Sequence, residues 1–526
     1  MITHTLIKAG QYYDSVTLLQ VAQTLLKLDG VTDAAVVMGT PANQGILRNA
    51  DLLTPEAAAA SPDDLVIAVR AMSKSEALNA IAYAEETLTA SQSQTAKQQS
   101  APRPRSVSAA AKQLGDVNIA LISVAGRYAG DVARQALQQN LHVFLFSDNV
   151  SVEDEISIKK LGRERGLLVM GPDAGTAIIN GKALGFANAV LTTPPTTGGV
   201  GIVAASGTGL QAVTTSLARR GIGITQAIGT GGRDLSAEVG GIMMVEAVMA
   251  LQADPTTKVL LLVSKPPAPE VADLVLETVR RSDKPTVVCF LGGRRQPIEA
   301  VGAIPASTLE RAALIAAALA AGEPPAQAIA ALKERNQGLK EEARKLKARL
   351  SRGQKCYRGL FSGGTFCYET QIILSKLLGR DRIKSNAPLS ESQRLASANV
   401  SEGHTAVDLG EDEFTVGRLH PMLDPALRNR RIVQETRDPD TAVIYVDVVL
   451  GYGVHPNPAG AAVEAIYEAQ ERLKRKKREV IFLAHVCGTD ADPQDASRQV
   501  DILQQAGVIV LPSNAAAARL AGYILR

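Results

Sequence analysis

The sequence predicts a multidomain α/β protein built on parallel sheets, and three observations support this prediction. From residue 118 onward, apolar segments of strand length alternate with segments of helical periodicity. These segments are apolar at successive positions, a pattern typical of strands covered on both faces, and each ends in small or polar residues. The 526 residues include 44 Gly, and only 3% are aromatic, a composition that lets helices lie close on a sheet. At roughly 100–200 residues per domain, this length predicts several domains.

The first 90 residues are predicted to form a small α/β domain. Three segments of strand character alternate there with helical segments: ITHTLIKA, AAVVMG and DLVIAV. Residues 91–106 follow with few hydrophobic side chains and with Pro102 and Pro104. This composition is typical of a linker, so we place the first domain boundary there.

Residues 107–195 are predicted to form a second α/β domain with parallel strands. In such sheets ligands bind at the carboxyl ends of the strands. The residues at these ends are therefore our candidates for contacts with a substrate or cofactor: Ser123, Ser147, Asn149, Gly171 and Pro172.

The rest of the chain contains a divergent internal repeat. In both copies a strand enters a glycine- and threonine-containing helix start, a glycine-rich or acidic loop follows, and two further strands come next. The copies occupy residues 196–323 and 356–526. Between them, residues 324–355 are charged and helical, with Leu332, Leu339 and Leu346 seven positions apart. We expect this segment to be a helix that docks on one of the copies.

The two helix starts are candidate phosphate sites. The first comprises Ser206, Gly207 and Thr208, and the second comprises Gly363, Gly364 and Thr365. Free backbone N–H groups and the helix dipole attract phosphate or carboxylate at such positions. The alternative is an ordinary turn between strand and helix, which also favours Ser, Gly and Thr. If the copies are related by pseudo-symmetry, both starts can face one anion from opposite sides.

Charged residues near strand ends are candidate catalytic groups. Arg233 and Asp234 follow three glycines, and Lys265 follows the strand VLLLVS. An arginine can bind a carboxylate or phosphate through two hydrogen bonds, but an Arg–Asp pair can equally pin a turn.

A loop in the second copy contains His420 and Asp424 among further charged residues. It has the composition of a substrate or Mg²⁺ loop. The alternative for Asp424, which precedes Pro425, is a capping or turn role.

Composition and charge exclude several classes of function. Lys plus Arg is 56 against 53 Asp plus Glu, and a nucleic-acid binder needs a basic face and stacking rings. Apolar runs are too short to cross a bilayer, and the N-terminus lacks a signal-peptide pattern. The four Cys are scattered without a CxxC pair, so we predict no bound metal site and no disulfide framework. We expect a cytosolic protein.

The motifs together resemble the NDP-forming acyl-CoA synthetases, whose best-known member is succinyl-CoA synthetase. The phrases that resemble it are GPD at 171–173, GIVAASGTG at 201–209 and GTGGRD at 229–234. Over nearly the full length the chain is similar to the FdrA-like subfamily, through DSVTLL, MGTPAN, LISVAG, FSDNVSVEDEI, GLLVMGPD, SKPPAP and GRLHPMLDP. The resemblance implies a partial Rossmann-like CoA-binding-type domain at 107–195. It also implies two flavodoxin-like, ligase-type domains at 196–323 and 356–526.

The chain departs from the synthetases at three places. The histidine that the family phosphorylates is expected after VVCFLGG, where residues 294–300 read RRQPIEA. Lys265 stands where the family has the acid that orients this histidine. The glycine-rich first half of the CoA-binding domain and an ATP-grasp region are missing. A phosphohistidine relay therefore cannot operate in this chain.

The resemblance implies a ligase-like protein that handles a small carboxylate and an acyl phosphate, together with other protein subunits. Coenzyme A is one expected cofactor, and Mg²⁺ bound with a phosphate-bearing substrate is the other. Some FdrA-like proteins are linked to an oxamate carbamoyltransferase of purine breakdown, so a carbamoyltransferase subunit that uses carbamoyl phosphate is an alternative. A catalytically inactive, ligand-binding scaffold is another.

Overall fold

The computed structural model describes residues 2–526 except 12, 14, 27, 51, 98–103, 105, 193–197, 380, 381, 416 and 417. The chain divides into two compact units. One comprises Met1–Pro104 and Asp412–Leu419, and the other comprises Arg105–Glu411 and His420–Arg526.

The first unit is built on a three-stranded antiparallel sheet with the order β1-β3-β2. Its elements are β1 (Ile2–Lys8), α1 (Ser15–Leu25), β2 (Val31–Met38), α2 (Pro41–Asn49), α3 (Pro55–Ala59), β3 (Leu65–Ala71) and α4 (Lys74–Lys97). The predicted alternation of strands and helices is confirmed. Helix α4 includes residues 91–97, which the sequence assigned to the linker, because no Pro or Gly interrupts the chain before Pro102.

The second unit begins with a small parallel sheet of order β4-β5-β6. Its elements are α5 (Val107–Leu114), β4 (Ile119–Ile122), α6 (Gly126–Gln138), β5 (His142–Leu145), α7 (Val152–Glu164) and β6 (Val169–Met170). We call this part the small module. Ile242 and Met243 of the next part complete its hydrophobic core.

The first lobe of this unit contains a seven-stranded sheet of order β13-β12-β11-β9-β10-β7-β8. Its elements are β7 (Thr176–Ile179), β8 (Lys182–Gly185), β9 (Gly199–Ala205), α8 (Gly207–Ala218), β10 (Ile224–Gly229), α9 (Ile242–Ala253), β11 (Thr257–Ser264), α10 (Pro269–Arg280), β12 (Thr286–Phe290), α11 (Arg295–Ala300), β13 (Ile304–Pro305) and α12 (Leu309–Ala320). The hairpin β7–β8 pairs antiparallel with β10. The sheet therefore crosses the domain boundary that the sequence placed at residues 195–196.

Helix α13 (Pro325–Lys347) occupies the predicted helical connector. Leu332, Leu339, Ala343 and Leu346 are its buried residues, which confirms the apolar face predicted from the spacing of the leucines. The helix packs against α12 of the first lobe and α19 (Asn514–Leu525) at the end of the chain.

The second lobe contains a six-stranded parallel sheet of order β15-β16-β14-β17-β18-β19. Its elements, besides α19, are β14 (Cys356–Phe361), α14 (Gly364–Leu378), β15 (Ile383–Ser385), a 3-10 helix (Glu391–Gln393), β16 (His404–Asp408), α16 (Ala426–Glu435), β17 (Thr441–Val449), α17 (Pro458–Arg475), β18 (Ile481–Cys487), α18 (Ala496–Gln505) and β19 (Ile509–Leu511). Helix α15 (Asp412–Thr415) belongs to the first unit.

The predicted repeat is confirmed by the strand order of the two lobes. The order β10-β9-β11-β12-β13 in the first lobe matches β16-β14-β17-β18-β19 in the second. Both are the flavodoxin-like order 2-1-3-4-5, which confirms the predicted fold class. One hydrophobic core runs through both lobes and includes Leu217, Phe366 and Leu520. No helix in the described ranges has the length and apolar character needed to cross a membrane.

Candidate functional site

The two helix starts lie in direct contact. The hydroxyl oxygens of Ser206 and Thr365 are 2.5 Å apart and form a buried hydrogen bond between the lobes. A Cβ atom at Gly363 would lie 2.7 Å from Cγ2 of Thr208. The structure therefore brings the two predicted helix starts together. We call residues 206–208 and 363–365 the helix-start pair.

The first helix start is organised by Ser206. This residue follows β9, and its Oγ accepts a hydrogen bond of 3.0 Å from the Gly209 amide, which caps α8. A Cβ atom at Gly209 would lie 2.3 Å from that Oγ, so only glycine fits there. The amides of Gly207 and Thr208 have no hydrogen-bond partner among the described residues. They are the orphan donors of a helix N-terminus.

The second helix start is partly occupied by a carboxylate. Asp447 on β17 accepts hydrogen bonds from the amides of Ser362 and Gly363, at 2.7 and 2.8 Å. The Gly363 amide is therefore bonded to a protein carboxylate, which corrects its assignment to phosphate binding. Within the described part of the chain, the amides of Gly364 and Thr365 have no such partner. These two amides match those of Gly207 and Thr208 in the first lobe.

Arg428 holds Asp447 in place. Its Nη1 donates to the Ser362 hydroxyl at 3.0 Å and to the Asp447 backbone carbonyl at 2.6 Å. Burial raises the pKa of the Asp447 carboxyl, while the Arg428 guanidinium opposes this rise. Arg428 itself is almost fully buried. The sequence analysis did not select Arg428, since an arginine inside an amphipathic helix gives no signal of burial.

Asp408, at the end of β16, is the buried acid next to the helix-start pair. A Cβ atom at Gly364 would lie 2.5 Å from its Oδ2, and its Oδ1 accepts a hydrogen bond of 3.0 Å from the Gly410 amide. Burial and, to a smaller extent, the Glu411 carboxylate raise the pKa of Asp408 to about 7, although Lys265 opposes this. A carboxyl group with this pKa can exchange protons near neutral pH. The sequence signal was available, because Asp408 ends an apolar strand as Lys265 does.

Lys265 is close enough to this acid to lower its pKa. It follows β11, is exposed, and its Nζ is 5.7 Å from the centroid of the Tyr368 ring on α14. Its charge opposes the raised pKa values of Asp408 and Cys367. The structure thus brings Lys265 close to α14 of the second lobe. From the sequence alone, only its position after a strand was known.

His420 and Asp424 have different environments. Nε2 of His420 lies 2.9 Å from where a Cβ atom of Gly410 would be, and its ring centroid is 6.1 Å from that of Phe186. Burial lowers the pKa of His420 to about 4, so the imidazole is neutral at pH 7. Asp424 accepts a hydrogen bond of 2.9 Å from the Ala426 amide, as in its predicted alternative role of a turn residue before α16.

The structure places Arg233 and Asp234 in one ion network, in which Asp234 is buried and Arg233 is exposed. The Asp234 carboxylate is fully buried and accepts from Nζ of Lys159 at 2.8 Å and from the amides of Met243 and Met244. Because it is buried and fully bonded, Asp234 cannot touch a substrate, and its catalytic assignment is wrong. Arg233 donates to the Val150 carbonyl and pairs with Glu155 at 2.9 Å. Its partner is therefore not the aspartate of the predicted alternative, an Arg–Asp pair within the turn.

The strand-end residues of the small module gather at one edge of its sheet. Ser147 is buried, and its Oγ accepts from the Val124 amide at 2.9 Å, so its role is structural. Ser123 and Asn149 are exposed at the same edge. The backbone of Gly171 and Pro172 packs against Gly231, where a Cβ atom would lie 2.7 Å from the Pro172 carbonyl oxygen. None of the described contacts joins these residues to the helix-start pair.

Three family models match parts of the chain. Residues 196–292 match the CoA binding domain, and residues 360–524 match the CoA-ligase domain. Residues 1–104 match the model described as AllF, heavy metal-associated domain. The CoA-binding match covers much of the first lobe, whereas the sequence analysis placed the CoA-binding-type domain at residues 107–195. The first lobe thus resembles a CoA-binding domain and the second lobe a CoA-ligase domain.

Individual proteins match over most of the length. The uncharacterized protein YahF of Escherichia coli (strain K12) is 44% identical over 514 residues, which cover 98% of this chain and 97% of YahF. Among solved structures, the apo acetyl-coenzyme A synthetase 1 of Ca. Korarchaeum cryptofilum is 16% identical, with a TM-score of 0.35, over 80% of this chain and 84% of that one. The ATP citrate lyase of Methanothrix soehngenii, in complex with citrate and coenzyme A, is 12% identical, with a TM-score of 0.36, over 80% and 83%.

The residues of the heavy-metal-type domain do not fit a heavy metal. Thiolate and imidazole are the ligands that soft metals prefer. Residues 1–104 contain no Cys, because the four cysteines are Cys289, Cys356, Cys367 and Cys487. Their only histidine is His4. Across the described residues of the whole chain, no group of three or more His, Cys, Asp or Glu could hold a metal ion.

Proposed function

Because the chain belongs to the family of YahF and carries CoA-binding and CoA-ligase domains, we propose that it is an acyl-CoA-ligase-like protein without a phosphohistidine. In this proposal the chain binds a small carboxylate and an acyl phosphate, and it works with partner subunits. Within the superfamily we place it in the FdrA-like group, on the phrases that run through its whole length.

The observation that supports this proposal most strongly is the contact between the two helix starts. The 2.5 Å hydrogen bond between Ser206 and Thr365 fixes the N-termini of α8 and α14 next to each other. Four amides without a described partner stand there, those of Gly207, Thr208, Gly364 and Thr365. Amides of this kind, backed by two helix dipoles, bind the phosphate of an acyl phosphate and stabilise its charge as it leaves.

Asp408 is the proton acceptor in this proposal. When a thiol or amine attacks the acyl carbon, its proton passes to the Asp408 carboxylate and a bond to carbon forms. The bond between the acyl carbon and the phosphate oxygen breaks, and phosphate leaves with the electron pair. A pKa of about 7 suits this exchange, and Lys265 supports the charged form of the acid.

In this proposal coenzyme A binds at the exposed edge of the small module. Arg127 and Tyr128 stand at the start of α6, with the guanidinium carbon 4.7 Å from the ring centroid, and the Tyr128 side chain is 54% exposed. Exposed Ser123 and Asn149 flank them. An arginine, an open aromatic face and hydroxyl or amide groups are the donor set for a phosphorylated adenine nucleotide. Bound coenzyme A would supply the thiol that takes up the acyl group.

The test is a reaction panel on the purified chain, alone and with candidate partner subunits. One arm supplies acetyl or succinyl phosphate with coenzyme A and measures thioester formation. The second supplies carbamoyl phosphate with oxamate, and the third supplies ATP, succinate and coenzyme A. Thioester formation in the first arm is expected, whereas transfer in the second arm alone would replace this function with that of a carbamoyltransferase subunit.

Substitutions in the helix-start pair test where the phosphate binds. Ser206→Ala and Thr365→Val are expected to weaken binding of the acyl phosphate at least tenfold, because they remove the bond that aligns the two N-termini. Ser106→Ala is the matched control, since Ser106 caps α5 outside the lobes. If all three variants bind the acyl phosphate like the unchanged chain, phosphate binding at the helix-start pair is refuted.

A ligand-binding scaffold is the second candidate function. It is favoured by Asp447, whose carboxylate already binds the Gly363 amide of the second helix start and the amide of the preceding Ser362. A scaffold would bind coenzyme A or the acyl phosphate and catalyse no reaction in any arm of the panel. Turnover in any arm would exclude it.

A further inference from the structure

A cavity of about 900 Å³ lies between the two lobes, apart from the helix-start pair. Ligand pockets in proteins have volumes of about 300–1,000 Å³, so this cavity is of ligand size. The first lobe contributes the segment after β11, the ends of β12 and β13, α11 and the start of α12. The second lobe contributes one face of α14 and part of the segment 389–393. The residues that carry the argument are Arg295, Arg311, Tyr368, Ser375 and Lys376. We call it the basic cavity.

The charged groups that line the basic cavity are all cations. Arg295, Arg311 and Lys376 face it, and its lining includes no carboxylate. Arg295 pairs with Glu299 at 2.9 Å, but both side chains of this pair are largely exposed. Arg311 and Lys376 have no ion pair among the described residues. Two cations therefore face the cavity without a protein partner.

The surroundings of Arg311 add positive charge. Burial is the main cause that lowers the pKa of Arg311, and the nearby charges of Arg295 and Arg519 lower it further. The neighbouring acid on α12, Glu310, is already paired with Arg335 through two hydrogen bonds. The buried Glu369 is bonded to Asn514 and to the Leu309 amide. Like charges held together without a counter-ion are unfavourable unless an anion joins them.

A second observation at the same place is independent of charge. The hydroxyl oxygen of Ser375 is buried and has no hydrogen-bond partner among the described residues, and Ser375 lines the basic cavity. A buried hydroxyl without a partner costs about 1–3 kcal/mol, so a ligand that accepts or donates a hydrogen bond there recovers this energy.

The remaining lining is apolar and includes an aromatic ring. Phe290, Ile298, Pro305 and Ile372 form apolar walls, and the half-buried ring of Tyr368 faces the same space. Such a wall suits a planar or apolar body attached to the anionic group, because base–aromatic stacking contributes about 1–3 kcal/mol.

We propose that the basic cavity binds a phosphate ester with an aromatic body, the chemistry of a nucleotide. Arg311 and Lys376 hold the phosphates, Ser375 provides a hydrogen bond, and Tyr368 stacks on the aromatic body. Its lining shares no residue with the helix-start pair or with the exposed edge of the small module, so ADP binding can be tested whether or not the proposed function is correct.

The test measures binding of ADP and of inorganic phosphate to the purified full chain by titration calorimetry. Arg311→Gln and Lys376→Gln are each expected to weaken ADP binding at least tenfold. Tyr368→Leu is expected to weaken binding of ADP and to leave that of phosphate unchanged. Lys376 is exposed, so its variant is expected to fold even if the change at Arg311 disturbs packing.

Two control variants locate the bound ADP. Arg281→Gln removes an exposed arginine outside the cavity, and Tyr467→Leu removes an exposed tyrosine on α17. Neither is expected to change the ADP affinity that depends on Arg311. Three results would overturn the proposal: no ADP binding at millimolar concentration, phosphate binding as tight as that of ADP, or a loss of ADP binding on Tyr128→Ala, at the edge of the small module, in place of a loss on Arg311→Gln.

Discussion

At the scale of single residues, Asp408 shows how burial prepares an acid for proton exchange. Its carboxyl group ends an apolar strand and lies against the start of α14, where a side chain at Gly364 would collide with it. Water is excluded there, and this raises the pKa to about 7. The same burial means that the ionised carboxylate destabilises the folded state.

This destabilisation by the ionised carboxylate predicts a pH-dependent effect of Asp408→Asn. The folded chain holds a proton on Asp408 up to about pH 7, whereas the unfolded chain loses it near pH 4, so the stability due to this group falls between these values. Asn keeps an acceptor for the Gly410 amide and carries no charge. We therefore expect the variant to unfold at a higher temperature than the unchanged chain at about pH 8 and at a similar one at about pH 4.

Thermal unfolding by circular dichroism at both pH values measures this difference. Asp283→Asn is the control, because Asp283 is an exposed acid without a described partner. An equal difference between variant and unchanged chain at both pH values would show that Asp408 is not strained by its charge. In the assays above, Asp408→Asn is expected to lose turnover while it gains stability, as is common for substitutions at active sites.

At the scale of secondary-structure elements, Lys159 joins helix α7 to the loop after β10. Its Nζ donates to Glu155 at 2.7 Å, to the Thr230 carbonyl at 2.9 Å and to Asp234 at 2.8 Å, all fully buried. The network thus fixes the small module to the first lobe.

Lys159→Met is expected to destabilise the chain by about 3–5 kcal/mol, because two carboxylates would stay buried without their shared cation. Urea unfolding of the variant measures this loss. Lys160→Met is the matched control, as Lys160 is the exposed neighbour on the same helix. A loss below about 1 kcal/mol at Lys159, the range of exposed pairs, would mean that the network is open to water.

This network also shows what sequence reasoning can reach. The helix starts were predicted because glycine, serine and threonine between a strand and a helix are local signals. The partner of Asp234 was not predictable, because Lys159 lies 75 positions away and looks like a surface lysine on a helix. The same holds for Arg428, which only the folded chain brings to Ser362 and Asp447. Local backbone chemistry was thus predictable, whereas long-range pairing of charges was not.

At the scale of the whole molecule, the two lobes share one hydrophobic core, and further polar bonds join them. Arg219 at the end of α8 donates to the carbonyls of Gly488 and Val486 in the second lobe, at 2.8 and 3.0 Å. Asp492 accepts from Asn188 at 2.9 Å and from the Ala189 amide at 2.6 Å. With core and polar bonds in common, neither lobe can unfold without exposing the other.

The four buried cysteines allow this cooperativity to be measured. Cys289 lies in the first lobe and Cys356 in the second, and residues 1–104 contain none. Thiol labelling at increasing urea concentration, read by mass spectrometry, is expected to give the same midpoint for both. Clearly separate midpoints would show that the lobes unfold independently. Because residues 1–104 contain no cysteine, the labelling reports on the two lobes and not on this part of the first unit.

Because both lobes belong to one chain, the contact between the two helix starts does not depend on the protein concentration. Two lobes on separate polypeptides would meet with a probability that depends on their concentration. Here α13 joins them covalently, so each lobe sees the other at a fixed effective concentration, in the millimolar range or above for short connections. The Ser206–Thr365 contact is therefore expected to persist at any abundance of the protein in a cell, and its one-to-one stoichiometry requires no matched synthesis of two subunits.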